Sequence, residues 1–295
     1  MNLNDLLRKD SIDPRTVLVL RHRPHEPGMR RVLPWLAAEK PSYYNAYQQT
    51  QSPRLEQAMQ GMVGSGFIAS FIGHGPSKAL FVGIYSIKRS RPLTYEQFWQ
   101  VPEYAEMRRD FGLQGWSREN QRKSWLWFDL DRTDFYFDWT GKLIVTWPPP
   151  ERSWWRRAHR NEIPVAAILE ESALTAAVPA WNDMEFTWAE LGVLPAPWRS
   201  ALSQWRGIYY ILDTSDRRGY VGSAYGASNL LGRWRNYAAR GHGGNALLLQ
   251  RDPSNFRFTI LQRVSPDMEP AEIIALENSW KRRLYTREPH GLNDN

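Results

Sequence analysis

The stretch RGIYYILDTSDRRGYVGSAYG, residues 206–226, decides how the C-terminal part of this chain is read. It places Gly-Ile-Tyr at 207–209 and Gly-Tyr-Val-Gly at 219–222. Residues 208–212 are β-branched and aromatic, 213–218 form a polar turn, and Tyr220 and Val221 begin a return strand. This pattern is that of an antiparallel hairpin. A hairpin alone does not explain a tyrosine beside a glycine on each strand, so the reason must lie in the flanking chain.

Downstream, Ser228 or Asn229 is suited to cap a helix that runs to about residue 239, and Gly241 to end it. On that helix Arg233 and Tyr237 stand four apart and share a face, while Arg235 points elsewhere. Residues 255–264 alternate like a strand. Residues 269–285 form a strong helix with Pro270 in its first turn. Ile273, Leu276, Trp280 and Leu284 make its apolar stripe, and Glu277 sits at the stripe's edge. That carboxylate either pairs with Lys281 at i+4 or binds something else.

Taken together, Gly-Ile-Tyr, Tyr-Val-Gly, an arginine on the next helix, a glutamate on a later helix and the C-terminal Gly-Leu-Asn resemble the GIY-YIG nuclease family over residues 205–295. The resemblance implies a small mixed sheet flanked by helices, hydrolysing phosphodiester bonds with Mg²⁺ or Mn²⁺. Tyr209 and Tyr220 become the two motif tyrosines, one of which helps to deprotonate the attacking water. A phenol of ordinary pKa about 10 is a poor base at neutral pH, so a nearby cation must stabilise its charged form. Arg233 would neutralise charge developing on the phosphoryl oxygens. Tyr237 matches a position where family members carry histidine or tyrosine. Glu277 would hold the single metal, an oxygen-seeking ion that keeps most of its waters. Asn293 matches the asparagine that supports the site. Two features depart from the family pattern: Ser223 and Ala224 stand where some members have a lysine, and the stretch AYGASNL lengthens the path from Tyr220 to Arg233. Arg235 and His242 are candidate DNA contacts, His242 alternatively a loop histidine or helix cap.

The remaining sequence is consistent with a nucleic-acid partner. The chain has 295 residues, a net charge of +7 and a pI near 9.6, which suits a polyanion. From Arg206 onward it carries 13 Lys and Arg against 9 Asp and Glu, so the basic excess is denser in the C-terminal part that holds the hairpin. The absence of cysteine excludes disulfides, thiolate zinc sites and cysteine nucleophiles. With no secretory leader and no apolar run of membrane-spanning length, a cytoplasmic protein that avoids membranes is expected.

Thirteen of the 15 tryptophans precede Arg206, in a region with strand-like segments at 78–87, 124–130, 134–139 and 142–147. Thr140 and Gly141 are expected to turn a hairpin between the last two of these. Helices are expected at 52–63, 95–109 and 153–160, and a proline-containing linker at 191–205. The fold expected is therefore α+β: a β-rich, tryptophan-rich DNA-recognition domain at 1–200 and a nuclease domain at 201–295. Within RSWWRRAHR, Arg152, Arg156 and Arg157 can pair with phosphates while Trp154 and Trp155 stack on a base. The alternative is an amphipathic helix whose tryptophans lie in the core. The aromatic strands could wall a pocket for a flipped or modified base, or simply pack a core. His22 and His25, and the acidic group Asp129, Asp131 and Asp134, are weaker candidates for metal.

The function expected is a divalent-metal-dependent DNA endonuclease aimed by its N-terminal domain, in restriction or defence against modified phage DNA. The alternatives are a repair or recombination nuclease, and a protein that grips DNA without cutting. Since one active site cuts one strand, cleavage of a duplex would call for a homodimer or for successive nicks.

Overall fold

A computed structural model describes residues 1–119, 122–175, 177–226, 229–240 and 245–294. The chain divides into two units, Met1–Thr175 and Ala176–Asn295. It is an α+β protein in both.

The first unit is built on seven strands: β1 (Val17–His22), β2 (Phe67–Gly73), β3 (Lys78–Leu93), β4 (Trp125–Arg132), β5 (Leu143–Thr146), β6 (Trp155–Arg157) and β7 (Val165–Ile168). Their order is β6-β1-β2-β3-β5-β7, with β4 also on β3. Only β1 and β2 run parallel; the other pairings are antiparallel. Alternation along β1 sends Val17 and Val19 into a core with Phe71, Phe81 and Trp147, closed by Leu3, Leu6 and Leu7 of helix α1 (Leu3–Lys9). The unit's other helices are α2 (Pro27–Glu39), α3 (Pro41–Gln49), α4 (Pro53–Gln60), α5 (Tyr95–Gln100) and α6 (Pro102–Phe111). Tyr44 of α3 is tied to the sheet through its hydroxyl, 2.7 Å from Ser70 Oγ.

Three local expectations fail here, two because tertiary pairing overrides local pattern and one because of a proline. Residues 153–160 are not a helix: Trp155–Arg157 form β6 on the edge of β1, followed by a 3-10 turn. Residues 134–139 are not a strand. β4 and β5 both use the long strand β3 as partner, and the chain passes from one to the other through a 3-10 turn at Phe137–Trp139. The helix expected at 95–109 is two helices, because Pro102 cannot continue α5 and instead starts α6.

The second unit comprises β8 (Glu185–Thr187), α7 (Trp188–Leu191), α8 (Ala196–Gln204), β9 (Arg206–Asp213), β10 (Gly219–Ala224), α9 (Asn229–Arg240), α10 (Ala246–Leu249), β11 (Phe256–Val264) and α11 (Pro270–Arg283). Its sheet runs β10-β9-β11-β8. Every pairing in it is antiparallel, whereas a mixed sheet was expected. The boundary also lies earlier than residue 200. β8 pairs with β11, and Phe186, Leu194, Trp198 and Leu202 are buried, so the proline-bearing stretch before Arg206 is part of this unit. Ile208 and Val221 face Ile273, Leu276 and Trp280 of α11, while Tyr209 lies against Trp234 and Tyr237 of α9. Among the described residues no helix is long and apolar enough to cross a membrane.

Candidate active site

The antiparallel register sets Tyr209 opposite Gly222 and Tyr220 opposite Ile211. A Cβ on Gly222 would fall 2.4 Å from Tyr209 Oη and 2.5 Å from its Cζ. A Cβ on Gly219 would strike the Tyr210 ring at 2.3 Å. Each of these glycines therefore makes room for a tyrosine of the facing strand, Gly222 for the motif residue Tyr209 and Gly219 for its neighbour Tyr210.

Tyr209 and Tyr220 share one face of the hairpin, with ring centroids 6.4 Å apart. Tyr237 reaches them from α9, at 6.2 and 6.0 Å. Its hydroxyl is 3.0 Å from that of Tyr209 and also hydrogen-bonds Tyr220. Tyr209 and Tyr237 are 0% and 1% exposed, and Tyr220 is 8% exposed. Burial, ahead of every other cause, pushes all three phenols above their ordinary value. Arg233, one helical turn before Tyr237, hydrogen-bonds Tyr209. Tyr209 chiefly, then Tyr237 and Tyr220, strengthen the guanidinium's hold on its proton against burial. Arg233 Nε is buried without a hydrogen-bond partner among the described residues.

Glu277 approaches from the other side of the sheet. Val221 and Ser223 point towards α11, and the Ser223 hydroxyl donates to Glu277 Oε2. Lys281 Nζ is 2.9 Å from Glu277 Oε1. Of the two readings of Glu277, the i+4 ion pair is present, and the carboxylate's charge is also felt at the Tyr220 hydroxyl. The position after the second motif holds Ser223 rather than lysine, and the ammonium near Glu277 comes from Lys281 on α11. Asn293 pins the free edge of β10. Its Oδ1 accepts from Val221 N at 3.0 Å and its Nδ2 donates to Val221 O at 2.8 Å. This bond pair fixes the backbone between Tyr220 and Gly222.

Among the described residues no group of three or more His, Asp and Glu is arranged to hold a metal. Glu277 does fit a cation that takes one protein carboxylate and otherwise water and substrate oxygens, as Mg²⁺ does. Each of its oxygens retains a lone pair beyond the one already engaged.

Of the candidate DNA contacts, Arg235 is exposed on α9, and His242 lies outside the described residues. Arg152 is exposed, while Arg157, Trp154 and Trp155 are half-buried. Arg156 is buried and donates to the carbonyls of Pro148 and Pro150. It is committed to the fold, where it satisfies carbonyls of a proline run that has no ladder partner. His22 is buried against Tyr44 and Tyr47, and burial lowers its pKa to about 4, whereas His25 is exposed. Asp131 pairs with Lys88 and Asp129 accepts from Trp127 Nε1, so neither histidines nor aspartates converge on a metal.

Most of the aromatic set is core: Phe135 is buried, with Tyr136 and Trp139 packed on that cluster. Trp127 alone of it borders a cavity of about 570 Å³ lined also by Asn45, Gln49, Arg91, Gln97 and Gln100. Arg91 lies 5.3 Å over the Trp127 ring. Asn45 and Gln49 come from α3 and Gln97 and Gln100 from α5, and no pattern in the sequence links the two pairs.

No family model and no curated protein matches the chain. Among solved structures, one similar to it is a nuclease catalytic domain. That structure is the catalytic domain of homing endonuclease I-TevI, 27% identical, covering 30% of this chain and 98% of that one with a TM-score of 0.26.

Proposed function

We propose that this protein is a divalent-metal-dependent DNA endonuclease whose C-terminal unit cuts and whose N-terminal unit selects the substrate. The observation that carries this reading is the convergence at the β9–β10 hairpin. Three phenols and the unpartnered Arg233 Nε–H lie on one face, and Glu277 stands beside the same edge. Tyr220, the most exposed of the three phenols, is the one suited to meet the attacking water. Burial disfavours its phenolate, so its use as a base near neutrality depends on a neighbouring cation. Tyr237, itself hydrogen-bonded to Tyr209, holds that hydroxyl in place rather than exchanging a proton with it. Arg233 donates to the phosphoryl oxygen on which charge develops. Glu277 would hold the cation, which supplies Lewis-acid stabilisation of the phosphate and the leaving oxygen when bound.

The amide-lined cavity beside Trp127 suits selection of a displaced base, because amide side chains read base edges and an aromatic ring stacks on base faces. Restriction of modified foreign DNA is the biological role that such a pairing of parts serves best. A second reading, binding without cleavage, draws on the Lys281–Glu277 ion pair, which leaves the carboxylate neutralised.

A cleavage assay with Mg²⁺ separates the two readings, using single-stranded, plain duplex and base-modified phage DNA. Arg233→Ala should lose about 10²–10³-fold in rate, and Glu277→Ala should lose cleavage while keeping the DNA affinity that the protein has without a divalent cation. No cutting of any substrate by the unaltered protein would overturn the enzymatic reading.

A further inference from the structure

From the Ser223–Glu277–Lys281 array we infer that cation loading is gated by the substrate: the divalent ion enters only together with a DNA phosphate. The inference rests on the reading of Glu277 as the cation's carboxylate. The Lys281 side chain is 5% exposed and that of Glu277 17% exposed, with Nζ 2.9 Å from Oε1. The Ser223 hydroxyl on Oε2 fixes the carboxylate's orientation, and the i+4 spacing on α11 fixes the ammonium's. In the free protein the strongest electrostatic partner of this carboxylate is therefore already in place.

A dication placed on Glu277 would stand beside an ammonium of like charge in a site with little water, where charges are poorly screened. A phosphodiester changes this. Its anionic oxygens can take the ammonium as Glu277 turns to the cation, so each charge keeps an opposite partner throughout the exchange. Arg233, with its buried Nε–H, adds a further donor for the same phosphate. The consequence is reciprocal linkage: DNA tightens cation binding and the cation tightens DNA binding by the same factor. An enzyme built this way does not carry a loaded cation between substrates.

Calorimetric titration of the full-length protein with Ca²⁺ tests the inference, with and without a duplex oligonucleotide. Wild type should bind Ca²⁺ at least about tenfold more tightly with DNA than without it. Lys281→Met retains the apolar stem and removes the charge. It should bind Ca²⁺ at least about tenfold more tightly than wild type in the absence of DNA, and its linkage to DNA should shrink accordingly. Lys281→Arg should restore the wild-type pattern. Equal Ca²⁺ affinity of the wild type with and without DNA overturns the inference, even where Lys281→Met does not fold. Unchanged free-state affinity in a folded Lys281→Met also overturns it, while leaving Glu277 as the cation's carboxylate. If instead Glu277→Gln binds Ca²⁺ as wild type does in every state, the reading of Glu277 itself fails.

Discussion

Tyr220 differs from Tyr209 and Tyr237 in one respect that matters for chemistry: part of it reaches the surface. The other two phenols are sealed, and burial favours their neutral forms. This has a consequence for stability. In the unfolded chain the three phenols ionise near the ordinary value of about 10, whereas in the folded chain they ionise higher. The stabilisation they contribute is therefore complete below about pH 10 and is lost as pH rises through the native values. Urea-unfolding midpoints measured from pH 7 to 11 should fall at the alkaline end in wild type. They should fall less in Tyr209→Phe and Tyr237→Phe, which have no buried proton to lose. Equal alkaline losses in wild type and both variants would place the source elsewhere.

At the scale of elements, the hairpin and two helices organise the site. β9 and β10 bring two tyrosines to one face, α9 contributes Arg233 and Tyr237, and α11 reaches the opposite face with Glu277. The hairpin depends on a ring lying across a glycine. Gly222→Ala would drive a methyl group into the Tyr209 ring, which Trp234 and Tyr237 prevent from moving aside. That substitution should cost about 1–3 kcal/mol in unfolding free energy, an overpacking penalty, and should shift the near-ultraviolet circular dichroism of the tyrosines. A variant as stable as wild type with an unchanged spectrum would show that the ring does not sit there. The hairpin, α9, β11 and α11 were legible in the sequence because each buries its own local periodicity. Residues 134–139 and 153–160 were not. Their composition permits several local structures, and β3 and β1, distant in sequence, decide between them.

For the molecule as a whole, the division at residue 175 alters what counts as the C-terminal unit. A fragment comprising residues 176–295 should unfold cooperatively, because it retains β8 and its pairing with β11. A fragment of 201–295 lacks Phe186 and Trp198, both buried. Each such aromatic contributes roughly 1.5–3 kcal/mol by burial, so the shorter fragment should be markedly less stable or fail to fold. Thermal unfolding of the two fragments side by side checks this, and equal stability would return the boundary to near residue 200.

The sequence by itself determined the motif tyrosines, the arginine and tyrosine one turn apart, the glutamate at the edge of an apolar stripe and Asn293. Hairpin and helix spacing is local and fixes which side chains share a face, while the resemblance to the GIY-YIG family singled out which residues to place in the site, Asn293 among them. The sequence also held Lys281 as a possible partner of Glu277, but not that Ser223 would take the other oxygen. That depends on α11 lying against β10, a contact between residues 54 positions apart. The commitment of Arg156 to proline carbonyls, the assembly of an amide-lined cavity from α3, β3, α5, α6 and β4, and the recruitment of β8 to the sheet were likewise decided only by tertiary structure. Except for Arg156, whose carbonyl partners stand six and eight residues away, the deciding partner is remote in sequence, and hydrogen bonding and burial between remote segments leave no periodic mark on either one.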